Sequence, residues 1–411
     1  MSVKTFAEAV KEGKTVYNRL FGIEQAEAEE AEFATKAELP SVVVVGNATA
    51  ELESLLAAGQ KDISLRPGNY TLGNISGIAK TEGVKMHGAG AGTTVVKTTS
   101  KTGNVFDLTE ALLCEITDMT ITSTVQRTAG ALIYVDKGSG TSEINAFRRL
   151  WLQSGWQGIV LHNTSTNVIE DIQIGDSGAW GWSSALALTG QAISTWCNRL
   201  RGGTGYGMAA GAVLLNSSEA GQIDTFLASQ WDLVGLSPST KMDGLVVDNG
   251  EWIKLADCSI ESGPEGAPLT VNGGNQIHLT DPHLLGHVNL NGGTGTKITG
   301  GEALLSNVHG VQIAGGTNTL IDGLAVTDVG EGYNAIDVSN GVDDFTVVNC
   351  DLGYNMIGAT KPTNLVRVGA TANPQDRYII TNNRGRNYTG AALLDNGEGV
   401  NKIVTGNVFV P

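Results

Sequence analysis

From residue 245 onward, short apolar runs alternate with tight-turn residues at a steady beat. Asn-Gly recurs at Asn249-Gly250, Asn272-Gly273, Asn291-Gly292, Asn340-Gly341 and Asn396-Gly397, while Gly315-Gly316 and Asn373-Pro374 fill the two long gaps. The mean step is about 24 residues. Runs such as Leu245–Val247, Leu269–Val271, Val288–Leu290 and Val311–Ile313 precede the turns, and others such as Gln276–Leu279, Lys297–Thr299 and Thr319–Ile321 follow them. Asn and Gly tolerate positive φ, so the chain reverses there at low steric cost. Self-similarity at such a period is the mark of a solenoid. No helical period of useful length runs between the strands after residue 60, which excludes βαβ units.

The pattern therefore predicts an all-β chain coiled as a single-stranded parallel β-helix. Each strand would pair with its equivalent one coil later, about 4.8 Å away. A β-propeller would need two repeats per four-stranded blade, and odd and even repeats do not alternate. The Leu-x-x-Leu-x-Leu spacing of leucine-rich repeats is absent.

The entry to the coil is legible too. Thr49–Ala58 carries Leu52, Leu55 and Leu56 at helical spacing and is stopped by Gly59. Strand-like Asp62–Leu65 follows, then Arg66-Pro67-Gly68-Asn69-Tyr70-Thr71-Leu72, Gly83–Gly88 and Thr93–Val96. This order resembles the N-terminal cap of right-handed β-helix proteins of the pectate-lyase-like superfamily, which includes many bacteriophage tailspikes. The resemblance covers roughly residues 45–410 and implies a right-handed coil, a homotrimer and a virion protein that attaches to host-surface glycan. It carries no catalytic residue onto this chain, because the paired Asp and His-Gly steps of the polygalacturonases are missing.

Residues 1–38 differ in kind. Val3–Lys11 can form a short amphipathic helix, and Glu24–Glu38 is rich in Ala and Glu before Pro40 ends it. Its apolar face is thin for a lone helix. We expect two regions: an N-terminal α-helical arm over residues 1–40, docking the protein to phage tail or capsid proteins or supporting oligomerisation, and a β-helix over 41–411. A solvated leader is the competing reading of the arm.

Of the 411 residues, 55 are Gly and only 17% are charged, as suits a long solenoid. The net charge of −16 disfavours nucleic acid and anionic membrane surfaces as partners. The first ten residues lack the apolar core of a signal peptide, so synthesis in the host cytoplasm and a place on the virion are expected. Membrane insertion is not expected, because the longest aliphatic run is Val42–Val45. Cys114, Cys258 and Cys350 share one local frame and read as buried core thiols, with Cys197 the fourth cysteine.

All seven tryptophans fall between 151 and 252. Trp156, Trp180, Trp182, Trp231 and Trp252 are candidate sugar-binding rings, the alternative being subunit contact or core packing. Trp156/Trp180 and Trp231/Trp252 stand about one repeat apart. Glycoside hydrolysis needs two carboxyls, about 5–5.5 or 6.5–9.5 Å apart. Asp224/Asp248 and Asp232/Asp257 are one repeat apart, and Asp232 with Asp257 is the candidate catalytic pair, with Glu261 as alternate. Ordinary solvated carboxylates are the plainer reading. His278, His283, His287 and His309 resemble a metal cluster by count but not by spacing, so no metal and no cofactor are expected. Gly88–Gly92 and Gly203–Gly207 read as turns, not phosphate loops. Three roles stay open: a glycan-attachment spike, a polysaccharide hydrolase or lyase, and a structural virion protein. A binding site is expected where the beat is broken, between residues 145 and 262.

Overall fold

The computed structural model describes residues 50–140, 142–162, 164, 167–174, 244–339, 342–353, 361–369, 377–397 and 401–410, and the backbone alone of Val43–Val45, Thr49, Tyr354 and the strands between Ser184 and Asp243. The expected helical arm, residues 1–40, lies outside this set.

The chain is the expected parallel β-helix. Among the described residues every strand pairing is parallel, in a 24-stranded sheet, a 12-stranded sheet and a two-stranded one. The entry matches the sequence reading. Helix α1 (Thr49–Ala57) buries Leu52 and Leu56, and Gly59, at φ +78°, accommodates the turn that ends it. Strands Asp62–Leu65, Gly68–Leu72 and Lys85–His87 follow.

Each coil contributes one strand to the twelve-stranded sheet and up to two short strands to the long sheet. Inward residues stack in ladders, because a two-residue side-chain period combined with fixed register puts like on like. Leu245, Leu269, Val288, Val311, Ile336 and Val366 form one ladder across the twelve-stranded sheet. Leu255, Leu279, Ile298, Ile321, Val347 and Ile380 form its counterpart on the long sheet. All are buried, each contributing about 1.5–3 kcal/mol of apolar transfer energy.

Two rows of left-handed corners run along the long sheet. In one, one or two residues before the first strand of the coil on this sheet, stand Leu113, Ile144, Trp252, Gln276, Asn318 and Asp344. In the other stand Asp118, Arg149 and Asp171, within single longer strands, and Asp257, Asp281, Asn349 and Asn382, before the second short strand. Asp and Asn visit this conformation at low cost and so populate the second row.

The three described cysteines each follow one of these corners. Their thiols close back onto the carbonyl two residues earlier: Cys114 on Leu112 at 3.3 Å, Cys258 on Ala256 at 3.4 Å and Cys350 on Val348 at 3.2 Å. All three are buried, as their shared frame predicted. Burial pushes the Cys350 thiol up to about 12.

The Asn-Gly beat marks the exit from the twelve-stranded sheet. Asn272 donates its side-chain amide to Asp248 at 2.8 Å, and Asn291 donates to Asn272 at 2.9 Å, so successive turns are tied together. A Cβ on Gly292 would stand 2.3 Å from the Asn272 carbonyl oxygen, and one on Gly315 equally close to that of Asn291. The glycines are thus required by coil-to-coil approach as well as by turn geometry.

Candidate functional site

The residues singled out in the sequence do not converge on one described site. Trp252 stands at a left-handed corner, 45% exposed, with the Lys254 ammonium 5.9 Å from its ring centroid. Trp156 is half-buried just ahead of strand Gln157–His162. Trp231 and Asp232 lie on strand Leu227–Val234, of which the backbone alone is described, and Trp180 and Trp182 lie outside the described residues.

Register corrects the expected ladder pairs. Asp232 stands opposite Thr204 on one side and Ser259 on the other, so Asp257 is not its ladder partner. Asp257 is exposed and occupies a corner of the row just described. Glu261 stands opposite Val234 and Leu285. Asp224 pairs with Trp196, whereas Asp248 belongs to the asparagine turn ladder. Trp252 lies two residues ahead of Lys254, whose partner is Leu227, so it is not aligned with Trp231 either. The physical reason is that coils differ in length: equal sequence separation does not give equal register where turns lengthen.

A different group of residues does converge. On the outer face of the twelve-stranded sheet, Asn289, Gln312, Asp337 and Arg367 are successive register partners. Beside them, at the entry to the same strands, lie His287, His309 and Tyr333. Together Glu265, His287, Asn289, Asn307, His309, Gln312 and Tyr333 line a cleft of about 590 Å³.

Beside the cleft lies an ordered polar network. Asp337 is fully buried. Arg367 places Nε 2.5 Å from Oδ1 and donates from Nη2 to Oδ2 at 2.9 Å. Asn334 donates its amide to Asp337 at 2.7 Å, and Asn364, one coil on, donates to the Asn334 side-chain oxygen at 2.7 Å. A buried carboxylate is tolerable only with such pairing.

His309 lines the cleft and reaches this network. Its Nδ1 accepts the Asn334 backbone N–H at 3.1 Å, which assigns the proton of the neutral ring to Nε2, 3.7 Å from Asp337. Burial pushes the imidazole below its ordinary value, with Arg367 adding to the depression and Asp337 opposing it. Tyr333 meets the ring edge-on, centroids 5.3 Å apart, and is 37% exposed.

Chemically, the cleft offers amide donors and acceptors and an exposed aromatic ring. That set suits a hydroxyl-rich ring compound. The neighbouring Asp337 carboxylate is engaged by Arg367 and Asn334. His287 and His309, noted only as part of a histidine count, do come together, while His278 and His283 lie on strands of the long sheet. Among the described residues, no group of three His, Cys, Asp or Glu is placed to hold a metal ion. The sequence signal for this site was slight: Asn289, Gln312, Asp337 and Arg367 are outward polar positions of strands whose register must be known first.

A second concavity, about 700 Å³, lies further along the coil on the long sheet. Its wall includes register neighbours Leu320, Thr346, Ile379 and Ile403, with Arg377 donating to Asp344 at 2.7 Å.

No family model matches the sequence, and no curated protein matches it. Among solved structures, the A-module of the mannuronan C-5 epimerase AlgE6 of Azotobacter vinelandii is similar at 14% identity and TM-score 0.46, covering 88% of this chain and 94% of that one. The catalytic unit of a thermostable GH87 α-1,3-glucanase from Streptomyces thermodiastaticus strain HF3-3 is similar at 16% identity and TM-score 0.47, covering 92% of this chain and 68% of that one.

Proposed function

We propose that this protein is a glycan-binding β-helix of the virion-spike kind, attaching a phage particle to polysaccharide on the host surface. The observation that carries the binding reading is the cleft lined by Tyr333, His309, Asn289 and Gln312, beside an ordered polar network. Aromatic and amide groups over a rigid sheet are what sugar recognition requires, because ring faces stack and hydroxyls pair with amides. In this reading the protein is a homotrimer, carried on the virion and docked to tail or capsid proteins through residues 1–38. The tryptophans between 151 and 252 remain candidates for extending the contact.

The test is to incubate the full chain with purified host-surface polysaccharides and measure both retention and reducing ends or unsaturated uronates. Retention without product is expected. Product that disappears on replacing Asp232, Asp257 or Glu261 would establish the hydrolase or lyase instead, and absence of any binding would leave a purely structural virion protein.

A further inference from the structure

We propose that the cleft selects an uncharged, hydroxyl-rich polysaccharide and seats it along the coil axis, over the Asn289–Gln312 ladder. This rests on the glycan-binding reading above and narrows it to one chemical class and one direction.

The lining of the cleft carries no spare positive charge. No lysine or arginine is among the residues that line the cleft, and Glu265 is. The adjacent guanidinium, Arg367, is matched to Asp337 through two nitrogens and has no uncommitted charge to offer. Burial lowers the His309 pKa, and its Nδ1 accepts the Asn334 backbone N–H. An acidic sugar would therefore enter a cleft with no spare cation, on a chain whose net charge is −16. A neutral sugar gives up less hydration and finds a partner for each polar edge: amide oxygens accept hydroxyl protons, and amide N–H groups donate to hydroxyl oxygens.

Strand register gives the cleft a direction. Asn289 and Gln312 are directly opposed on neighbouring strands, about 4.8 Å apart along the coil axis. Both lie on the outer face and both line the cleft. A polymer lying along this axis meets an amide on each of two successive strands. One lying across it meets a single strand and loses the second amide. Tyr333, near the entry to the next strand of the sheet, Asn334–Val338, offers a ring face beside that line.

The experiment uses the full chain and a panel of purified neutral and uronate-containing surface polysaccharides, read by affinity electrophoresis at low and physiological salt. Neutral members are expected to retard the protein, with little salt dependence. Asn289→Ala and Gln312→Ala are each expected to weaken that retention by about tenfold. Both side chains are outward and half-buried, so circular dichroism should be unchanged. Gln312→Lys supplies the missing cation and is expected to shift preference toward the acidic members. Tighter, salt-sensitive binding of acidic polysaccharides by the unmodified protein would overturn this inference while leaving glycan binding intact. Neutral binding indifferent to both alanine variants would also overturn it. Binding of no member of the panel would overturn the glycan reading itself.

Discussion

Asn383 donates its side-chain amide to Asn407, one coil further on, at 3.0 Å. The same amide reaches the Val347 carbonyl at 2.9 Å, and the Asn383 side-chain oxygen accepts the Cys350 N–H from the preceding coil at 2.9 Å. Three coils are thus joined through one fully buried side chain. Asn145 does the same earlier in the chain, accepting from Cys114 at 3.0 Å and donating to Asn167 at 3.1 Å. Asn383→Ala would leave the Cys350 N–H and the Val347 carbonyl without these partners, at about 1–3 kcal/mol each. Because a solenoid is stabilised coil by coil, the loss should appear as faster hydrogen exchange in the strands from Arg377 onward, with coils near Leu108 unaffected. Uniform loss of protection along the whole chain would contradict it.

Arg367→Met removes the counter-charge of a carboxylate that has no access to water. We expect it to cost about 3–5 kcal/mol, because an unpaired buried charge is left behind. Asp337→Asn is expected to cost less, since the Arg367 side chain is 35% exposed and can turn to solvent. Urea midpoints for the two variants decide the order.

Stability should fall on acidification through His309. Its folded pKa lies below the unfolded value, so the unfolded chain takes up the proton first. The contribution of this group is complete above about pH 6.5 and is lost as pH drops below it. His309→Gln should flatten that part of the stability–pH curve. An unchanged slope would mean that the imidazole does not titrate in this way.

Ile144 is a β-branched residue held at φ 58° and 51% exposed. The conformation costs roughly 1–2 kcal/mol, and asparagine adopts it more readily. Ile144→Asn is therefore expected to raise stability by about 1 kcal/mol, read by chemical denaturation. A loss instead would show that the isoleucine makes a contact of its own, for instance with a second copy of the chain.

Cys114, Cys258 and Cys350 should resist alkylation in the native state and react only on unfolding, because burial raises the Cys114 and Cys350 thiols and all three are covered. Peptide mapping after alkylation checks each position separately.

Much of this architecture is written locally. Asn272-Gly273 and Asn291-Gly292 are turns because of their own conformational freedom, and Leu269 and Val288 are inward because of the two-residue period around them. The helix stop at Gly59 and the corner placement of the three cysteines are equally local. The candidate chemistry was less legible. Asp232 and Asp257 are separated by one repeat, yet the coil between them is longer than their spacing allows for, and register moves Ser259 into the expected place.

By itself, then, the sequence determined the class of fold, its period, its entry and the inward face of its strands, because each follows from backbone preferences and hydrophobic alternation over a few residues. Only the tertiary structure decided which outward residues become neighbours. Asn289, Gln312, Asp337 and Arg367 are separated by 23, 25 and 30 residues, and no fixed period aligns them. They meet because interstrand hydrogen bonds absorb the differences in turn length and hold the strands in register, and that alignment creates the cleft.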